Sequence, residues 1–439
     1  MRSCRSFRQR RAAPVLWALA AALSISTAHA AGYSIYEQGA AVLGMAGAGT
    51  ASVHDPSALF YNPAAMTRLA PGATLYLGGS ALTPTTSFAG NNPYPGYGVT
   101  EEMKRQLFFP PTFYLTRRFG ERFAIGVGAN SPFGLGVEWK EPDTFTGRYV
   151  VTKAELTALN GNLSAAYAIT PELSLAAGGD ALFARVKLRN RELAFLPGGG
   201  GQSADVAEVA LESSFKRGYG WNAALSYVPT ARLLLGATYR SEIEVDVNDG
   251  DATFRQILTG NPLFDALVAQ SLPPDQAVGT ALHFPAIGSG GVAFKPTDAW
   301  TLEADFNYFG WSVFRELAIK FKDTPQASRT LVEDYDDSWQ IRAGAEHRLE
   351  AFTYRFGYYY DRAAAPTTSV TPILPDANRH GVTFGLGWAL GPEKRWAIDL
   401  YDLALLFEKR STEGVNRDGF DGTYQSFGNA TGLSLAYRW

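Results

Sequence analysis

The chain is nearly without cysteine: its 439 residues include one, Cys4. Charge is also sparse, at 18% of residues, yet mean hydropathy is only −0.10 despite 46% hydrophobic composition. A helical membrane protein needs runs of about 20 apolar residues, and none occurs here. The longest candidate, Val15 to Ile25, is short, follows Arg2, Arg5, Arg8, Arg10 and Arg11, and runs on to Ala28-His29-Ala30. A basic stretch, a short apolar stretch and an A-x-A site describe a secretory signal peptide, so 1–30 is expected to be removed after Ala30. Cys4 goes with it, and the mature chain has no disulfide. Taking those five arginines from 39 basic residues leaves 34 against 42 acidic ones, a formal charge of −8. That balance disfavours a nucleic-acid partner.

Catalytic signatures are scarce too. Outside the leader only His54, His283, His347 and His380 remain, and there is no G-x-S-x-G, H-E-x-x-H or Walker A pattern. A barrel hydrolase would need a nucleophile, a base and an orienting group, so an outer-membrane lipid hydrolase is the weaker reading. The sequence implies no enzyme, no cofactor and no metal.

What the chain does have is alternation. From Leu233 to Asn248 the odd positions read Leu233, Leu235, Ala237, Tyr239, Ser241, Ile243, Val245 and Val247, while Arg240, Glu242, Glu244 and Asp246 fall on even ones. Strand side chains alternate faces, giving one oily and one charged face over about 16 residues, against a usual strand length of ~5 to 6. Leu302, Ala304, Phe306 and Tyr308 oppose Glu303, Asp305 and Asn307, and Phe352 to Asp361 repeats the pattern. About fourteen such segments follow Gly72, joined by connections that are alternately tight and long, as the two rims of a transmembrane barrel require. The last segment ends on Leu433, Leu435, Tyr437 and Trp439, an aromatic finish suited to the membrane rim and to capture by the barrel-assembly machinery.

The fold expected is therefore all-β: an antiparallel transmembrane barrel over 71–439, set in outer-membrane lipid and lipopolysaccharide and monomeric. Residues 31–70 do not alternate. They carry Gly39, Gly44, Gly47, Gly49 and Tyr61-Asn62-Pro63-Ala64-Ala65, and are either a surface arm or a plug in the lumen. Two strands switch the parity of their apolar set, so bulges are expected near Leu182 and Asp402. Asn130, Ser131, Pro132, Phe133 and Gly134 mark either a strand end or a gap in the wall, since Pro132 cannot donate to a ladder.

These features together resemble the FadL/TodX (OmpP1) family of outer-membrane transporters of hydrophobic compounds. The resemblance is carried by Ala31-Gly32-Tyr33 and Asn62-Pro63-Ala64, by Gly126 through Leu135 and by Thr146-Gly147-Arg148-Tyr149. In the second half it rests on Trp300 through Asp305, Trp311-Ser312, Asp337-Ser338-Trp339, Gly344-Ala345-Glu346, Tyr360-Asp361 and Leu374 through Arg379. The resemblance implies a fourteen-stranded barrel blocked by an N-terminal hatch containing Asn62, Pro63 and Ala64. It also implies capture of a hydrophobic ligand by extracellular loops, hatch movement and lateral exit beside a kinked third strand at Asn130 to Gly134. The cargo expected is a long-chain fatty acid or similar molecule, with aromatic or alkyl hydrocarbons as the alternative.

For the capturing groove the sequence offers Phe254, Ile257 and Leu258, then Phe264, Leu267, Val268 and Leu272, spaced as two short amphipathic helices, with Leu193, Phe195 and Leu196 opposite. These either pack on neighbouring loops or hold ligand. Lumen-facing charges are expected at Arg240, Glu242, Glu244, Glu303, Asp305, Arg342, Arg355 and Asp361, mostly as mutual salt bridges, with an arginine open to a carboxylate ligand.

Overall fold

The computed structural model describes residues 32–196 and 202–439; the expected signal peptide, 1–30, lies outside them. Fourteen strands form the wall: β1 (Gly72–Gly90), β2 (Pro111–Phe119), β3 (Phe123–Asn130), β4 (Lys153–Ala168), β5 (Leu173–Phe195), β6 (Lys216–Thr230) and β7 (Leu233–Arg240). They continue as β8 (Ile287–Thr297), β9 (Trp300–Phe309), β10 (Ser338–Leu349), β11 (Phe352–Asp361), β12 (Arg379–Leu390), β13 (Trp396–Phe407) and β14 (Gly422–Arg438). Each pairs antiparallel with its neighbour, and β1 pairs with β14 from Thr74↔Arg438 to Gly90↔Gly422. Closure leaves no edge strand, so every wall N–H and C=O can be satisfied without water.

The alternation sorts side chains by solvent. On β9, Trp300, Leu302, Phe306 and Tyr308 are exposed while Thr301, Glu303, Asp305 and Asn307 are buried. Aromatic pairs ring the tight-turn rim, among them Phe119 with Phe123, Trp300 with His347, Phe352 with Trp388, and Tyr437 with both Trp396 and Trp439. Trp339, Tyr358 and Tyr360 answer them near the other rim, the two girdles of a membrane barrel.

Three expectations fail in an instructive way. The stretch Leu233 to Asn248 is not one strand: it breaks at Ser241-Glu242, and a second strand runs Ile243–Gln256. Beyond the break Val245 and Val247 are buried in the core, whereas Glu242 and Glu244 are exposed rather than lumenal. Leu182 carries no bulge, since β5 pairs with β4 without a register shift. Asp402 carries none either, because β13 pairs regularly with β12. On β5 the even positions face inward throughout. Val186 and Leu188 stay inward while Arg185, Lys187 and Arg189 face out, because water replaces lipid outside the wall above the membrane band. The solvent changes, and the register does not. After β9 a 3-10 turn at Trp311–Val313 leads into a separate strand, Glu316–Phe321.

The leading segment runs inside the barrel. Helix α1 (Ala40–Gly44) touches β11, β12, β13 and β14, and a 3-10 turn (Pro63–Arg68) touches β2 through β6 on the opposite wall. A short helix α2 (Ala58–Tyr61) precedes the turn. Close approach needs wall positions without a side chain: a Cβ on Gly357 would lie 2.4 Å from the Ala46 nitrogen.

Candidate functional site

Two ties fix the leading segment to the wall. Glu303 and Asp305, two residues apart on β9, share the lumenal face. Asp305 Oδ2 accepts from the backbone N–H groups of Gly49 and Thr50, each at 2.9 Å, and Glu303 accepts from Ala51 at 2.6 Å and Ser52 at 3.2 Å. Carboxylates accepting backbone N–H groups make strong, charge-assisted bonds. Asn62, fully buried, supplies the second tie: its amide donates to Thr50 O at 2.7 Å and to Leu225 O of β6 at 3.0 Å. Its Oδ1 caps the 3-10 turn by accepting from Ala64 N at 3.0 Å, and Pro63 begins that turn, where no N–H is required.

The third strand is kinked where Pro132 falls. Asn130 pairs with Asn160, but Gly134 pairs with Thr157, so one strand advances a residue more than its partner. On the other side, the ladder with β2 stops at Phe113↔Ala129, and the next bridge is the isolated pair Met103↔Trp139. Leu107 to Pro110 stays outside β2, because Pro110 and Pro111 offer no N–H. The Phe108 ring fills this notch, lying against Gly136, where a Cβ would come within 2.0 Å of it.

The freed backbone of the kink bonds to the leading segment. Ile35 N donates to Pro132 O at 2.8 Å, Gly134 N to Tyr33 O at 2.9 Å, and the Gln38 side chain to Ser131 O at 2.8 Å. One piece of chain therefore both lies in the lumen and bonds the wall at the kink.

A cavity of about 340 Å³ lies at this junction. Ile35, Leu82, Phe108, Phe133, Leu135 and Leu156 supply its oily side. Tyr33 packs edge-on against Phe133, Phe284, Trp311 and Phe314 beside it. Its charged lining residues are Glu37, Arg342, Asp376 and Arg379, with Glu155 on β4 beside Leu156. A mostly apolar cavity with a few polar groups suits an amphiphile or a hydrocarbon.

Most lumenal charges pair as expected. Arg355 bonds Glu346 and Asp399, both at 2.7 Å; Arg379 bonds Asp361 at 2.6 Å; Arg240 bonds Asp180 at 3.1 Å. Glu303 and Asp305 instead hold backbone, and Arg342 forms no ion pair among the described residues. Outside the membrane band, Asp376 accepts from Ala364 N and Ala365 N, and burial pushes its carboxyl up to about 7.

The loop residues expected to form a groove divide into two sets. Only one helix forms, α3 (Pro262–Ser271); Phe254 ends up in a strand and packs on Phe321, with Ile257 just past the strand's end. Phe264 and Val268 are buried against Val206, with Leu196 and Leu272 packed on them. Leu193, Phe195, Leu258 and Leu267 are exposed, as is Leu263, which carries the same signal and was not singled out. Phe108 also lies outside the expected set, and the prolines after it are the available clue.

The chain matches a model of the family "Outer membrane protein transport protein (OMPP1/FadL/TodX)" over residues 21–439. It is 28% identical to the 47 kDa outer membrane protein of Pasteurella multocida, covering 96% of this chain and 97% of that one. To the long-chain fatty acid transport protein of Escherichia coli O6:H1 it is 25% identical, covering 86% and 87%. Among solved structures, a FadL homologue of Pseudomonas aeruginosa superposes with a TM-score of 0.80 at 20% identity, covering 93% of this chain and 100% of that one. The toluene transporter TodX of P. putida gives 0.72 at 18%, covering 94% and 99%. With the family model spanning the whole barrel and its lumenal segment, the chain belongs to the OMPP1/FadL/TodX family of outer-membrane transport proteins.

Proposed function

We propose that this barrel takes up long-chain fatty acids or similar hydrophobic molecules by passive, ligand-gated diffusion, with residues 31–70 as the hatch. The observation that carries the reading is the shared bonding of the leading segment: residues that block the lumen also bond the kink at Ser131 to Gly134. Ligand that displaces Tyr33 and Ile35 from the cavity wall unties the kink in the same movement. The notch beside Phe108 then offers a sideways route into lipid.

Physics favours that route. Apolar surface gains roughly 25 cal/mol per Å² on leaving water, so an oily molecule does better in the membrane than in a wet pore. Capture from outside is assigned to the exposed set Leu193, Phe195, Leu258 and Leu267, while Phe264, Val268, Leu272 and Leu196 hold the loop together. Transport of aromatic or alkyl hydrocarbons is the second reading, favoured by the mostly apolar cavity lining. No catalytic step is assigned, and lipopolysaccharide contact, assembly through the C-terminal strand and a monomeric state complete the proposal.

The test is mass spectrometry of lipids extracted from the purified protein, with retention of a labelled fatty acid by F108W and wild type. Enrichment of free fatty acid in wild type and slower release to lipid vesicles by F108W are expected. Extracts containing only bulk phospholipid, with identical release rates, would refute it.

A further inference from the structure

We propose that the outer face of β5 and β6, just above the lipid band, binds a phosphate of the lipid A part of lipopolysaccharide, with Arg185 and Arg217 as its ligands. The inference rests on the proposed lipopolysaccharide contact and gives it a place and a chemistry.

On β5 the outward side chains change from oil to cation within one pleat. Phe183 is exposed opposite Leu159 of β4, and the next three outward positions are Arg185, Lys187 and Arg189. Residues two apart on one face of a strand are about 7 Å apart, so Arg185 sits where acyl chains end and head groups begin. Tyr219 and Trp221 of β6, both exposed, stand just below it, as the aromatic girdle of a membrane barrel does. Arg217 lies opposite Phe183, one pleat from Arg185, and such diagonal neighbours are within reach of long side chains. Each guanidinium rests over a ring, Arg185 at 5.0 Å from Phe215 and Arg217 at 5.9 Å from Tyr219.

The strip is short of negative charge. Glu155 lies 3.6 Å from Arg185, and Glu212 serves both Lys187 and Arg189, at 3.4 and 3.1 Å. Arg217 forms no ion pair among the described residues; exposed Glu244, whose backbone passes Gly218, is not paired with it. Ion pairs this exposed are weak and yield to a dianionic phosphate, which two guanidiniums can grip through paired bonds. A free phosphate gains nothing from Phe183 and Leu159. A phosphorylated lipid uses both features, its chains on the oily pair and its phosphate on the arginines. Lys187 and Arg189 carry the positive charge about 14 Å along the strand from Arg185. A glycerophospholipid presents its phosphate at one level only, whereas lipopolysaccharide continues upward in acidic sugars. The strip also lies toward the long-loop rim, the side of the outer leaflet.

The experiment titrates the mature full-length protein in non-ionic detergent with lipid A bearing both phosphates, lipid A stripped of phosphate, and phosphatidylglycerol, read by native mass spectrometry. Wild type is expected to hold phosphorylated lipid A at least about tenfold tighter than either other lipid, and inorganic phosphate should not displace it. R185Q/R217Q should lose about tenfold in affinity for phosphorylated lipid A alone, and R185K/R217K should keep part of it. R122Q/R232Q, which removes the same charge from the tight-turn rim, should match wild type, with heat-modifiable gel migration confirming a folded barrel in each variant. Wild-type affinity in R185Q/R217Q, or an equal loss in R122Q/R232Q, overturns the site while leaving lipopolysaccharide contact in place. Phosphatidylglycerol bound as tightly as lipid A overturns the choice of lipid. Saturable binding of no lipid A by wild type overturns both the site and the contact.

Discussion

Replacing Asp305 with alanine tests whether the leading segment keeps the lumen shut. The substitution removes the acceptor of two backbone N–H groups, Gly49 and Thr50, each at 2.9 Å and buried. A hydrogen bond to a charged group contributes about 1.5–3 kcal/mol net, so two amount to ~3–6 kcal/mol. Relief of repulsion from neighbouring Glu303 subtracts from this, and ~3 kcal/mol is the working value. The wall's own ladders do not involve this carboxylate, so the loss falls on seating of the segment and not on the barrel. At about 1.4 kcal/mol per factor of ten, the unseated population rises roughly 100-fold. D305N, which keeps one acceptor, should fall between D305A and wild type. Single-channel recording in planar bilayers reads the effect as more frequent openings, and heat-modifiable gel migration reports the intact barrel. Wild-type conductance from a correctly folded D305A would refute the cradle argument.

Other outcomes follow from the same geometry. G357V places carbon against the Ala46 nitrogen, 2.4 Å from the Cβ position, and should expose residues 40–50 to protease in a barrel that still closes. In α3, F264D removes a buried ring, a change worth about 3–5 kcal/mol for loss of the ring alone, and should unfold the loop as seen by limited proteolysis. L258D/L263D/L267D touches exposed positions and should weaken capture of labelled fatty acid with the loop intact; unchanged capture argues against that surface. Asp376 carries a carboxyl raised by burial to about 7, so the folded loop binds more protons than the unfolded one between its ordinary value and 7. Stability of 362–378 should therefore fall as pH rises across that window, by at most about 1.4 kcal/mol per unit, and level off above 7. Hydrogen exchange corrected for intrinsic rates measures the slope, which D376N should abolish.

The amino-acid order determined the parts that depend on local periodicity and solvent. A period of two with oily and polar faces can be satisfied at this length only by a closed sheet in a membrane, so strand number, rim assignment and most lumenal positions were legible. So was the oddity at Pro132, because a residue without an N–H interrupts a ladder wherever it falls. Tertiary structure decided what alternation does not encode. Whether Val245 faces outward or inward depends on whether lipid or water lies outside at that height, a property of the assembled cylinder. That Glu303 and Asp305 hold backbone, that Asn62 ties Thr50 to β6, and that the leading segment completes the kinked strand all join residues more than ten and up to about 250 positions apart. No local pattern carries such pairings, because they exist only once the sheet has closed around the chain that fills it.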